Sequence, residues 1–146
     1  GDSVISKTIA LSGRKNRVIG DVSGEKKLLI ITYGYISHRT FEVYEKRQSF
    51  FKNVRIIELN DIWPIPVSEI LPHIDDKTKI LCIEEQTKSG SIMESIAAQF
   101  GGRNSVYGLH LPNRYLFDNG TQDQILDKNG LSRKDIELKI VEILQN

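Results

Sequence analysis

Two neighbouring carboxylates are the first candidates for chemistry in this sequence. Glu84 and Glu85 directly follow the apolar run Ile80–Ile83 and open a polar segment that continues to Gly90. Two carboxylates can act as general acid and base only when both face one substrate. Adjacent residues of a strand point to opposite faces of its sheet. We therefore expect one carboxylate to cap a neighbouring helix or form an ion pair and the other to be solvated.

The residues that follow the two acids are typical of a helix entrance. Thr87, Ser89 and Gly90 lie just before a segment of helical periodicity. Small polar residues and glycine favour the turn that starts a helix. A contact surface for another protein or domain is the functional alternative for this segment.

A second polar loop, Tyr33–His38, follows the apolar run Leu28–Thr32. Gly34 could bring backbone N–H groups and a helix start near Ser37 close to a phosphate or sulfate. Ligands of open parallel sheets bind beyond the carboxyl ends of strands, where this loop is expected. One glycine is a weak signal, and a tight strand-to-helix turn is the alternative.

Trp63 lies in the proline-rich segment Asn60–Pro66, just past the apolar run Val54–Leu59. A large aromatic residue in such a loop can anchor it by partial burial. It can equally serve a subunit interface, where aromatic residues are enriched. The sequence leaves both interpretations open.

Other site chemistries have no positive support in the sequence. The three histidines, His38, His73 and His110, are separated by more than 30 residues, so their spacing indicates no shared metal site. Cys82 lies in an apolar run without a local His or Cys partner, which indicates a buried, inert thiol. The nucleophile-elbow, dinucleotide and phosphate-loop motifs do not occur.

Composition indicates one soluble intracellular domain. A chain of 146 residues can bury roughly two-thirds of its unfolded surface around one core. Lys and Arg total 20 against 19 acidic residues, so we expect no nucleic-acid partner. The apolar runs are far shorter than the roughly 20 residues of a membrane span, and no secretory leader opens the chain. We therefore expect a cytoplasmic location and no membrane partner.

Four short apolar runs predict buried strands. They are nearly continuous rather than alternating, which is typical of strands covered on both faces. The runs are Leu28–Thr32, Val54–Leu59, Lys79–Ile83 and Ser105–Leu109.

Helical segments separate and follow these runs. The first predicted helix begins near Ser37 and has Phe41, Tyr44 and Phe51 on its core face. A short helix is predicted over Val67–Leu71, limited by Pro72, and a longer one from Ile92 to Phe100, stopped by Gly101-Gly102. Two helices are predicted at the end of the sequence, introduced by Thr121 and Ser132 and separated by Gly130.

The alternation predicts a three-layer α/β/α fold with a mainly parallel, doubly wound sheet of about five strands. We expect residues 1–24 to be a linker or edge extension and residues 25–146 to form the domain.

The strand ends, read in order, resemble those of the transketolase C-terminal domain. Glu84-Glu85 matches the paired acids that close the third strand of that domain. The closing stretch is the most specific and is similar to the end of 1-deoxy-D-xylulose-5-phosphate synthases. That stretch comprises Leu109–Leu116, Asn119–Gln122 and Asn129–Ser132.

The resemblance implies the third domain of a thiamine-diphosphate-dependent transferase, one that helps to hold a homodimer or complex and is not itself catalytic. In such enzymes other domains hold thiamine diphosphate and magnesium, so neither cofactor is expected on this chain. For the synthase, the implied pathway is isoprenoid biosynthesis.

Two alternatives remain at this stage. The chain could be a separate subunit of a split transketolase. It could also be a small-anion-binding module that uses a crevice between Gly34 and Glu85.

Overall fold

The computed structural model describes residues 16–20, 24–113 and 120–146. Their strands form one sheet in the order β1-β3-β2-β4-β5, with β1 antiparallel to β3 and the other neighbours parallel. The strands are β1 Arg17–Gly20, β2 Leu28–Thr32, β3 Val54–Glu58, β4 Lys79–Thr87 and β5 Val106–Leu111. The leader prediction for residues 1–15 falls outside the described residues.

Helices cover both faces of the sheet. The α-helices are α1 Ile36–Lys46, α2 Val67–Ile70, α3 Ile92–Phe100, α4 Gln122–Lys128 and α5 Arg133–Gln145. Short 3-10 turns over Leu71–His73 and Lys88–Gly90 follow α2 and precede α3. Within the described residues, no helix has the length and apolar character needed to cross a bilayer.

The central strand β2 shows why the fold has three layers. All five of its residues are buried. Leu28 and Ile30 join a core cluster with residues of α1, α4 and α5, whereas Leu29 and Ile31 join a second cluster with residues of α2 and α3. A strand buried on both faces must be apolar at every position. The predicted three-layer α/β/α class is confirmed.

The structure corrects the predicted strands at three points. β4 continues to Thr87 because Thr87 pairs with Leu111 after a shift of register beyond Ile83. The predicted polar loop after Ile83 therefore begins as strand. β5 ends at Leu111 rather than at Leu109, and β1 is an additional edge strand within the predicted leader.

The helix boundaries follow the predicted signals closely. Thr121 and Ser132 each form a capping box, with Gln124 and Asp135 respectively. Gly130 has a φ of +85°, the left-handed conformation that glycine adopts readily. Phe51 is a correction: α1 ends at Lys46, and Phe51 reaches the core from the turns that follow it.

A buried arginine joins α1 to α4 and to the turn before α5. Arg39 is 1% exposed. Its Nη1 donates to Asp127 Oδ1 at 2.6 Å and to the Leu131 carbonyl at 3.0 Å. Its Nη2 donates to Asp123 Oδ1 at 2.8 Å and to the Asp123 carbonyl at 3.0 Å. Burial of this charge is tolerated because it is paired and hydrogen-bonded.

We predict that Arg39→Met lowers the free energy of unfolding by about 2–3 kcal/mol, because charge-assisted bonds are lost and their acceptors are left unpaired. The matched control is Arg133→Met, which removes an exposed pair with Glu42 and should cost less than about 1 kcal/mol. Urea unfolding of both variants measures the difference. Equal losses of stability in the two variants would contradict the structural role assigned to the buried Arg39.

The contribution of the Arg39 ion pairs to stability should also depend on pH. The Arg39 guanidinium, together with the Tyr35 hydroxyl, holds the pKa of the Asp123 carboxyl below its usual range. A depressed pKa gives stability that is present above the unfolded value and is lost as pH falls through the folded value. The difference between wild type and Arg39→Met should therefore shrink below about pH 4.

Candidate functional site

The carboxyl ends of β2 and β4 meet at a buried carboxylate. Glu84 has no exposed surface. Its Oε1 accepts hydrogen bonds from the Ile92 N–H at 2.9 Å and from the Tyr33 hydroxyl at 2.7 Å. Its Oε2 accepts from the Met93 N–H at 3.2 Å. Glu84 thus caps the N-terminus of α3, as predicted for one of the two acids.

The chemistry of this cap is electrostatic. A negative charge is stabilised at a helix N-terminus by the free N–H groups and the helix dipole. Burial, followed by the hydrogen bond to Glu84, raises the pKa of Tyr33. Tyr33 therefore stays protonated and keeps donating to the carboxylate. The arrangement ties the loop after β2 to the start of α3.

Glu85 points to the other face of the sheet. Its Oε1 accepts from Gln122 Nε2 at 2.7 Å, which ties the end of β4 to the start of α4. A Cβ placed on Gly34 would lie 4.0 Å from Glu85 Oε2. Gly34 itself has a φ of +72°, so it makes a tight turn between β2 and α1. The two acids thus contact different helices, α3 and α4, on opposite sides of the sheet.

The predicted site residues with small side chains differ in their exposure to solvent. Ser37 is fully buried, so its side chain is not available to a ligand or partner in this structure. Thr87 Oγ1 lies 3.4 Å from Ser89 Oγ, and both belong to the entrance of α3. Gly90 is exposed in the same turn. Whether these residues contact a partner stays a prediction.

Trp63 is the most exposed large apolar residue in the described part of the chain, with 59% of its surface accessible. Its neighbours Ile62 and Ile65 pack half-buried against the core. These two isoleucines, rather than the indole, anchor the loop that follows β3. The indole is held outward at the same edge of the sheet as Glu84 and Gly34.

The described residues offer neither a metal-binding cluster nor an exposed thiol. They contain no group of three His, Cys, Asp or Glu side chains that could hold a metal ion. Cys82 is free and fully buried, and burial raises the pKa of its thiol. The predicted buried, unpaired cysteine is confirmed.

Sequence reasoning missed Tyr33, Arg39, Gln122 and Asp123 as residues that organise this edge. Arg39 and Asp123 are 84 positions apart, and Tyr33 and Glu84 are 51 apart. The only available signal was indirect. Asp123 and Asp127 are four residues apart after a predicted cap, so they share a helix face that could bind one cation.

We predict that Glu84→Ala lowers the free energy of unfolding by about 2–3 kcal/mol, because two helix N–H groups and a tyrosine hydroxyl lose a charged acceptor. Glu85→Ala removes the adjacent carboxylate from a half-buried position and should change stability by less than about 0.5 kcal/mol. Thermal unfolding of both variants tests the asymmetry. Comparable losses would contradict the capping role.

Comparison with known proteins gives a consistent result. Residues 20–136 match the family described as transketolase, C-terminal domain. The β subunit of 2-oxoisovalerate dehydrogenase from Bacillus subtilis (strain 168) is 28% identical over 71 residues, which are 49% of this chain and 22% of that subunit.

Solved structures share the fold. A split-gene transketolase, solved as an inactive β4 tetramer, superposes with a TM-score of 0.68 at 16% identity and covers 88% of this chain and 42% of that one. A transketolase variant from Pichia stipitis in complex with xylulose 5-phosphate gives 0.66 at 11% identity, covering 94% and 19%.

The chain therefore spans less than half the length of these relatives. The match over residues 20–136 includes the strands β2 to β5 and the helices α1 to α4, together with the two acids at the end of β4. On this evidence, the chain belongs to the transketolase C-terminal domain family.

Proposed function

We propose that this chain is the non-catalytic C-terminal domain of a thiamine-diphosphate enzyme and that it holds a dimer or complex together. The observation that carries the proposal is the family match over residues 20–136, on a chain with the same sheet architecture. The Glu84 carboxylate supports it, because all of its contacts position structure. Thiamine diphosphate and magnesium belong, in this proposal, to other domains or subunits.

The contact surface proposed is the loop after β3. Ile62 and Ile65 fix this loop on the core, and Trp63 projects from it. A rigidly supported, exposed indole loses little conformational entropy on association and buries a large apolar area, which is typical of interface anchors. The rest of the enzyme, as further domains or as a partner subunit, is the proposed occupant.

We predict that Trp63→Ala weakens association with the remaining domains or subunits by at least about 30-fold, as for an aromatic anchor worth about 2 kcal/mol. The control is Phe50→Ala, which removes another exposed aromatic (49% accessible) beyond the far end of α1. Titration calorimetry with the separately expressed partner measures both variants. An unchanged affinity for Trp63→Ala would refute the proposed surface.

For the parent enzyme, we propose the reaction of 1-deoxy-D-xylulose-5-phosphate synthase, which joins a pyruvate-derived carbon unit to glyceraldehyde 3-phosphate. The support is the resemblance of the closing stretch, in which residues 114–119 lie outside the described part. The match to a 2-oxoisovalerate dehydrogenase β subunit favours a second candidate, a 2-oxo acid dehydrogenase component. A separate subunit of a split transketolase is the third.

We expect turnover only in the complete enzyme, because this chain supplies no reacting group in the proposal. Three substrate sets separate the candidates: pyruvate with glyceraldehyde 3-phosphate, a ketose phosphate with an aldose phosphate, and a branched 2-oxo acid with an electron acceptor. The isolated chain should neither bind thiamine diphosphate in calorimetry nor turn over any set. Carboligation by the isolated chain would overturn the non-catalytic role.

The anion-binding alternative is disfavoured by charge. Glu85 Oε2 lies next to Gly34, where a phosphate would have to bind, and like charges at this distance repel. Titration of the chain with sugar phosphates and nucleotides tests this point. Micromolar binding of a phosphorylated ligand would overturn the scaffold role.

A further inference from the structure

A half-buried histidine lies near the amino end of the sheet, on the segment that follows the Trp63 loop. His73 ends the 3-10 turn after α2. Ile70 and Ile74, before and after it, are buried in the core cluster on the face of the sheet that α2 and α3 cover. The Nδ1 atom of His73 is buried and has no hydrogen-bond partner among the described residues. Neither the carboxyl-edge contacts nor the Trp63 surface uses this imidazole.

Two cations face this imidazole from other elements. Arg55 is 6% exposed. Its two neighbours in β3 belong to the core cluster on the opposite face, so the alternation of the strand places the Arg55 side chain on the face of His73. Lys26, just before β2, donates from its Nζ to the Pro72 carbonyl at 3.0 Å. Both cations have contacts of their own, which keep them in place.

The described acidic groups closest along the chain are engaged elsewhere or exposed. Glu69 is exposed on α2. Asp75 accepts a backbone N–H within its own turn at 2.8 Å, and Asp76 pairs with Arg103. The charges that act on His73 are those of the two cations.

We propose that residues 67–74, here called the α2 segment, pack on the sheet only while His73 is neutral and detach from it when His73 is protonated. An imidazolium carries an N–H on both ring nitrogens, so Nδ1 would become a buried donor without an acceptor. The same proton would add a third positive charge beside Arg55 and Lys26, and like charges repel. Detachment relieves both costs because the ring reaches water.

The direction of the pH dependence follows from the same contacts. Burial, followed by the charges of Arg55 and Lys26, lowers the pKa of His73. The detached segment therefore binds the proton more readily than the packed one. Packing should be most stable above the ordinary histidine pKa of about 6.5 and should weaken as pH falls below that value. Carboxyl groups titrate near about pH 4, so a comparison of pH 8 with pH 5 reports mainly on histidine.

Amide exchange measures the packing of the α2 segment directly. The N–H groups of Glu69, Ile70 and Ile74 are hydrogen-bonded within it or to the residue before it. After correction for the intrinsic rate at each pH, the opening of these three amides should increase several-fold from pH 8 to pH 5. The Ile80 N–H, which donates to the Ser105 carbonyl at 2.9 Å in the sheet, should not follow.

Two variants remove the titrating group. His73→Leu is apolar and His73→Gln is polar, and in both the three amides should lose their response to pH. The matched control is His38→Gln, which removes an exposed imidazole on α1 and should keep the full response. A wild type without the response, a response that survives in both His73 variants, or an equal response at Ile80 would overturn the proposal.

Detachment of the α2 segment would also remove support from the Trp63 loop, a consequence that rests on the proposed function. The Val67 N–H donates to the Ile65 carbonyl at 2.8 Å, and Ile65 packs against the same cluster as Ile70. Calorimetry with the partner should show association weakened several-fold from pH 8 to pH 5 for the wild type but not for His73→Gln. A pH response in amide exchange without one in association would refute the Trp63 surface and support the α2 segment proposal.

Discussion

The central strands β2 and β4 are buried on both faces, so a charged side chain near their carboxyl ends is stable only with partners inside the protein. An unpartnered polar or charged group in that environment costs several kcal/mol. Glu84, with no exposed surface, meets this constraint by accepting from two N–H groups of α3 and from the Tyr33 hydroxyl. The position of α3 and of the loop after β2 follows from that requirement.

The same constraint explains Arg39 on the opposite face. Its guanidinium is surrounded by α4 and by the turn before α5, and it donates to two carboxylates and two carbonyls. A buried pair of this kind specifies geometry because the partners must stay in place. Together, Glu84 and Arg39 fix helices on both faces of the sheet at its carboxyl edge. The exposed groups there, Trp63 above all, are presented on a rigid support.

These contacts agree with the proposed role in holding a larger enzyme together. The charged side chains at the carboxyl edge bond to one another and to helix ends, so they hold structure in place. The surface proposed for association is the loop after β3, from which the apolar Trp63 side chain projects. Covering the Trp63 indole removes a large apolar area from water.

The amino-acid sequence by itself determined the local features. Continuous apolar runs identified the central strands, Thr121 and Ser132 identified helix starts, and the adjacency of Glu84 and Glu85 predicted that the two carboxylates face opposite sides of the sheet. Each of these follows from interactions within a few residues or from the period of a strand or helix. Only the tertiary structure decided which acid caps α3 and that Arg39 is buried between Asp123 and Asp127. The Arg39 contacts and the Tyr33–Glu84 hydrogen bond join residues 51 to 92 positions apart, and the face of β4 that α3 covers depends on the packing of the whole sheet, which no local pattern encodes.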